Sequence, residues 1–277
     1  MSLRLVRAGA VGAVAAVLGF AGAGAASAQG NGPFHCAGGD WAPYPDFAKN
    51  AQVLGSGTYD GLVVSGLCMV PDHAVVSVQG PVTVRPGGVL AAMGPQTTRI
   101  TGHVTVGRGA ILALGEPSPE GPGPYEPSHD SVTGGITANQ PLAVYLNNAR
   151  IVGHVSVRGG GPGDQCVDPG WPPLGHTLTI KDNTIIGGLS ARGWSGCWAG
   201  LLRNTIVGSV TWSDMSANLA WPQGPDSNEI VANRIVGSLS CYRNTPAAQI
   251  GDATGNPANV PPTNKVVGPK RGECAGL

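Results

Sequence analysis

Short runs in which apolar residues alternate with Ser or Thr recur along the chain, each led by a glycine. Gly80-Pro81-Val82-Thr83-Val84 returns as Gly102-His103-Val104-Thr105-Val106, Gly134-Gly135-Ile136-Thr137-Ala138 and Gly153-His154-Val155-Ser156-Val157. It continues as Gly187-Gly188-Leu189-Ser190-Ala191, Gly208-Ser209-Val210-Thr211-Trp212 and Gly237-Ser238-Leu239-Ser240-Cys241. Two residues before each glycine stands a β-branched apolar residue: Val78, Ile100, Val132, Ile151, Ile185, Ile206 or Ile235. Val266-Val267-Gly268 is a truncated further copy, and Asp60-Gly61-Leu62-Val63-Val64 a degraded first one. The two-residue alternation is that of a strand with one buried face.

Successive glycines lie 22, 32, 19, 34, 21, 29 and 31 residues apart, so the unit is the shortest interval and the longer ones carry insertions. A unit of that size cannot bury its apolar face alone, whereas equivalent strands stacked in parallel register can. The pattern therefore predicts an all-β chain, a right-handed parallel β-helix of about 8–9 turns. Residues 58–277 form the helix with a C-terminal cap, and residues 29–57 an N-terminal segment or cap. Val104, Val155, Leu189, Val210 and Leu239 should point inward, and Thr105, Ser156, Ser190, Thr211 and Ser240 outward. Asn183, Asn204, Asn233 and Asn264 each stand four residues before their glycine. Asparagine suits a left-handed corner, and its amide can satisfy backbone groups there, so these four predict a structural ladder.

Composition narrows the class. Gly 45 and Pro 24 in 277 residues argue against a helical domain, and charged residues at 12% are too few for a disordered chain. The formal net charge of zero offers no electrostatic footprint for nucleic acid. Arg4 and Arg7 precede an apolar run from Ala8 to Ala26, and Ala26-Ser27-Ala28 fits signal-peptidase cleavage. Residues 1–28 thus read as a signal peptide and the protein as secreted, with no membrane span after cleavage.

Cys36, Cys68, Cys166, Cys197, Cys241 and Cys274 are even in number and contain no CxxC pair. In a stacked fold, spatial neighbours lie one turn apart. Pairing in sequence order gives separations of 32, 31 and 33 residues, so the expected bridges are Cys36–Cys68, Cys166–Cys197 and Cys241–Cys274.

The Asn-x-[Ile/Val]-[Ile/Val]-Gly copies, the Ala- and Gly-rich leader and the closing Cys274-Ala275-Gly276-Leu277 resemble the pectate-lyase-like β-helix superfamily. More narrowly, they resemble its secreted, cysteine-containing actinobacterial members of unassigned function. The resemblance covers roughly residues 58–270 and implies the fold; lyases, glycosidases, adhesins and non-catalytic proteins share it.

Chemistry is sparse. No Asp-Asp pair, Gly-x-Ser-x-Gly elbow, HExxH or phosphate loop occurs, and no cofactor or metal is expected. His103 and His154 share one position in the repeat but lie two turns apart, too far to share an ion. Asp164, Asp168 and Asp182 with Arg158 and Arg192 are the one local set that resembles a lyase or hydrolase site. Trp171, Trp194, Trp198 and Trp221 cluster near insertions and offer faces for sugar rings or padding for loops, while Trp212 belongs to the inward column. The outward hydroxyl column is interrupted on its flank by Arg85, Arg158, Arg192 and Tyr242, which spoils the regular lattice an ice-ordering face requires. The expectation is a secreted non-catalytic structural or binding module, with polysaccharide the ligand class. The alternative is an enzyme acting on a cell-wall or plant polysaccharide.

Overall fold

The computed structural model describes residues 32–39, 50–116, 126–163, 177–217, 227–250 and 263–277. They form a right-handed parallel β-helix with three long parallel sheets of ten, eight and nine strands. Each turn contributes one strand to sheet A, then to sheet B, then to sheet C. A turn in mid-stack runs through Val104–Val106, Ile111–Leu114 and Ser131–Thr133 before Ile136–Asn139 begins the next.

The repeat supplies sheet A in register. Val82 stands beside Val104, Val104 beside Ile136, and the column continues through Val155, Leu189, Val210 and Leu239. All seven are buried, as are Ile100, Val132, Ile151, Ile185, Ile206 and Ile235 of sheet C. Thr105 is exposed, and Ser190, Thr211 and Ser240 are half-buried on the outer face. Ser156 departs from the expectation at 7% exposure, a short side chain set between Thr137 and Ser190 on the neighbouring strands. Sheet B is buried on both faces, and Val89, Ile111, Ala113 and Tyr145 form a second cluster outside the interior.

The stack begins earlier than residue 58. Phe34–Cys36 and Gln52–Val53 pair with the strands of the following turn, Leu62–Val64 and Leu67–Met69, so part of the expected N-terminal segment is a turn of the helix. Cys36–Cys68 joins these two turns across 5.9 Å between Cα atoms. At the other end Cys241–Cys274 spans 5.2 Å and fixes the 3-10 helix Glu273–Gly276 to the sheet A strand Leu239–Tyr242. Cys197 is disulfide-bonded, and Cys166 lies outside the described residues.

The glycines mark the corner from sheet C to sheet A. A Cβ on Gly187 would lie 2.6 Å from the carbonyl carbon of Gly153, and one on Gly134 would lie 2.6 Å from that of Gly102. Each corner rests on the backbone of the corner before it, so no side chain fits.

The asparagines form the corner from sheet B to sheet C. Asn204 Oδ1 accepts from Asn183 N and Nδ2 at 2.9 Å each, and Asn204 Nδ2 donates to Ile180 O (2.8 Å) and Asn233 Oδ1 (3.0 Å). Asn233 and Asn264 repeat the pattern. A second, shorter ladder went unforeseen: Met215 N donates to Asn244 Oδ1, and Asn244 N and Nδ2 donate to the Glu273 carboxylate.

Replacing Asn204 with Ala strands Asn183 N and Ile180 O in a buried corner. Urea denaturation should show a loss of about 1–3 kcal/mol; an unchanged midpoint would contradict a structural role for the ladder.

Candidate functional site

Sheet A presents a candidate site. Its outer face carries the hydroxyl column and, two residues further along each strand, a second column in register: Asn139, Arg158, Arg192, Ser213 and Tyr242. Ser240 is followed in its column by Arg271. Near the C-terminal turns these side chains line an open depression formed by Arg192, Thr211, Ser240, Tyr242, Arg243 and Arg271, with Ser213 at its base. Tyr242 is 41% exposed. Its ring packs over Gly272, where any Cβ would lie 2.7 Å from two ring carbons. The chain leaves sheet A after Arg158, Arg192, Ser213 and Tyr242, at the same end of four neighbouring strands.

Charge in the depression is positive and partly compensated. Arg243 donates to both oxygens of Asp214, at 2.6 and 2.9 Å, and holds that carboxyl below its usual range, with a smaller contribution from Arg192. The two residues occupy left-handed corners, with φ of 57° for Asp214 and 55° for Arg243.

Of the residues singled out for catalysis, Arg158 and Arg192 are brought together on adjacent strands. Asp182 is not. It lies at the corner from sheet B to sheet C, across sheet B from the two arginines, and accepts from Arg203 Nε at 2.7 Å and Nη2 at 2.8 Å. The paired side chains are 8% (Arg203) and 13% (Asp182) exposed, so Asp182 serves as a buried partner between turns. Asp164 and Asp168 lie outside the described residues.

The tryptophans do not form one stacking surface among the described residues. Trp212 fills the interior and donates from Nε1 to Asn228 Oδ1 at 2.7 Å. Trp194 is fully buried where the chain passes from sheet A to sheet B and so has no face for a sugar; it packs beneath Gly161 and Gly196. Trp198 is half-buried on sheet B beside Thr177. Trp171 and Trp221 lie outside the described residues. His103 Nδ1 donates to Gly134 O (2.7 Å) while its Nε2 accepts from the Thr137 hydroxyl (3.0 Å), and His154 Nδ1 donates to Gly187 O (3.0 Å). Each imidazole is thus tied to the corner one turn on.

Sequence reasoning missed Asp130. It stands four residues before Gly134, the position of the ladder asparagines, and accepts from Thr98 N (2.6 Å) and Gln96 Nε2 (2.9 Å). Burial pushes its carboxyl up to about 7 against the lowering effect of those hydrogen bonds.

Replacing Asp182 with Ala leaves the Arg203 guanidinium buried without its carboxylate. The expected loss is about 3–5 kcal/mol in thermal or urea unfolding; parent-like melting would show that Asp182 is free for another role. No family model, curated protein or solved structure matches this chain.

Proposed function

We propose that the protein is exported and works outside the cell as a non-catalytic β-helix, a structural or binding module whose ligand is polysaccharide. Export is supported by the leader built on Arg4, Arg7 and the apolar run that follows, and by the absence of free cysteine among the described residues. Kinship with the pectate-lyase-like superfamily belongs to the same proposal and rests on the Asn-x-[Ile/Val]-[Ile/Val]-Gly turns.

The observation that carries the binding reading is Tyr242, an aromatic ring exposed on a strand face amid Ser240, Thr211, Arg192 and Arg271. An aromatic face packs against the C–H face of a sugar, and the surrounding hydroxyls and guanidiniums match its oxygens. A lyase or hydrolase needs a carboxylate available as acid or base beside the arginines. Asp214, which stands beside the depression, is held by Arg243, and Asp182 is held by Arg203 elsewhere.

A glycan array tests this directly. The mature parent should bind at least one polysaccharide, Tyr242→Ala should weaken that binding by about tenfold, and assays for reducing ends and unsaturated products should stay at background. Absence of binding, or equal binding by the variant, would overturn the reading; product release would establish the enzymatic alternative.

A further inference from the structure

Gln96 is fully buried at the corner from sheet B to sheet C, and its amide orientation is fixed by its partners. Nε2 donates to Ala92 O at 2.7 Å and to Asp130 Oδ2 at 2.9 Å, both acceptors, so the other terminal atom must be the oxygen. That oxygen, Oε1, is buried with no hydrogen-bond partner. Leaving such an acceptor dry is unfavourable, and Asp72 Oδ1, which shares its space, is a further acceptor.

Asp72, Gly94 and Glu116 occupy one column across three consecutive turns, spaced 22 residues apart. The register Met69 to Ala91 before the corner and Val75 to Thr97 after it places Asp72 beside Gly94. Ala92 beside Leu114, with Gly115 N donating to Ala92 O, places Gly94 beside Glu116. The glycine leaves a gap between two carboxylates. Asp72 already leans over it, because a Cβ on Gly94 would collide with Asp72 Oδ1, and that same point lies 3.3 Å from Gln96 Oε1. Two oxygens, Asp72 Oδ1 and Gln96 Oε1, thus converge on the space that a side chain at residue 94 would fill, and Glu116 stands at the next position of the column. Two turns separate the Cα atoms of Asp72 and Glu116 by about 10 Å, a span that an Asp and a Glu close only with something between them. The carboxylates also act on one another: Glu116 is pushed up by its burial and then by the charge of Asp72.

We propose that this gap is a calcium site, in which Asp72, Glu116 and Gln96 Oε1 ligate one Ca²⁺ and clamp three successive turns of the helix. A hard divalent cation satisfies the orphaned amide oxygen and removes the carboxylate repulsion in one step. The irregular arrangement of donors suits calcium, which accepts 6–8 oxygens in flexible geometry, better than magnesium, which demands a near-ideal octahedron. Asp72 is exposed, so water completes the shell from the solvent side. The site is distinct from the depression on sheet A and independent of any glycan.

Titration calorimetry and thermal melting of the disulfide-intact mature chain test the assignment, with CaCl₂ added after EDTA treatment. Calcium should bind with a dissociation constant on the order of 10⁻⁴–10⁻³ M, as in extracellular modules, and raise the melting temperature at millimolar concentration while equimolar MgCl₂ does not. Asp72→Asn and Glu116→Gln, which keep the side-chain size, should each weaken binding about tenfold or more and abolish the shift. Melting equal in calcium and EDTA would overturn the proposal, as would variants that bind calcium like the parent or an equal response to magnesium.

Discussion

The structure depends on one constraint: every turn must satisfy its backbone hydrogen bonds with the turns before and after it, in register, at the spacing of adjacent parallel strands. Straight strands meet this without special residues, but corners do not. Where sheet C passes into sheet A, successive backbones come so close that only glycine fits, and Gly134, Gly153 and Gly187 follow one another in contact. Where sheet B passes into sheet C, the corner amides point along the stack, and the asparagine side chain supplies both the acceptor and the donor that the preceding turn requires. Burial of the Val, Ile and Leu columns follows from that register, because a slip of one residue would turn Val104 or Leu239 to solvent.

At the two ends of the described stack one side of a turn has no paired strand, and each end is held differently. The first two turns are tied by Cys36–Cys68, both fully buried. At the last turn Cys241–Cys274 draws a 3-10 helix over the interior, while Glu273 accepts from Asn244 as a further asparagine would have done. Cross-links across about thirty residues stabilise chiefly by restricting the unfolded chain, and here they also hold terminal turns that lack half their partners.

What was legible in the sequence was whatever repeats. Glycine, the β-branched residue before it and the alternation after it specified sheet A residue by residue, and the four asparagines specified most of one corner. The ladder continues in altered chemistry at Asp130, where a carboxylate accepts the two bonds, and skips Ala149; a search for asparagine alone passes over both positions. Phe34–Cys36 and Gln52–Val53 escaped because they lack the glycine signature, although they pair in the same register. Trp194 stands in the sequence among tryptophans near insertions, where a ring can face a sugar or pad a loop, and the chain folds back over it so that it pads. Tyr242 drew notice only as an interruption of the hydroxyl column. Its place among Arg192, Ser240 and Arg271 depends on strands that are adjacent in the stack and about thirty or more residues apart in sequence.

Register brings chemistry together: sheet A sets Arg192, Ser240, Tyr242 and Arg271 side by side because its columns are straight, and Asp72, Gly94 and Glu116 share one column because three turns superpose. Peptide mapping of the unreduced mature protein probes that superposition most directly, since its disulfides record which turns are neighbours. The stack predicts three cross-linked peptides, joining Cys36 to Cys68, Cys166 to Cys197 and Cys241 to Cys274. A peptide joining Cys68 to Cys166, or a free thiol at Cys241, would contradict the order of turns on which the account rests.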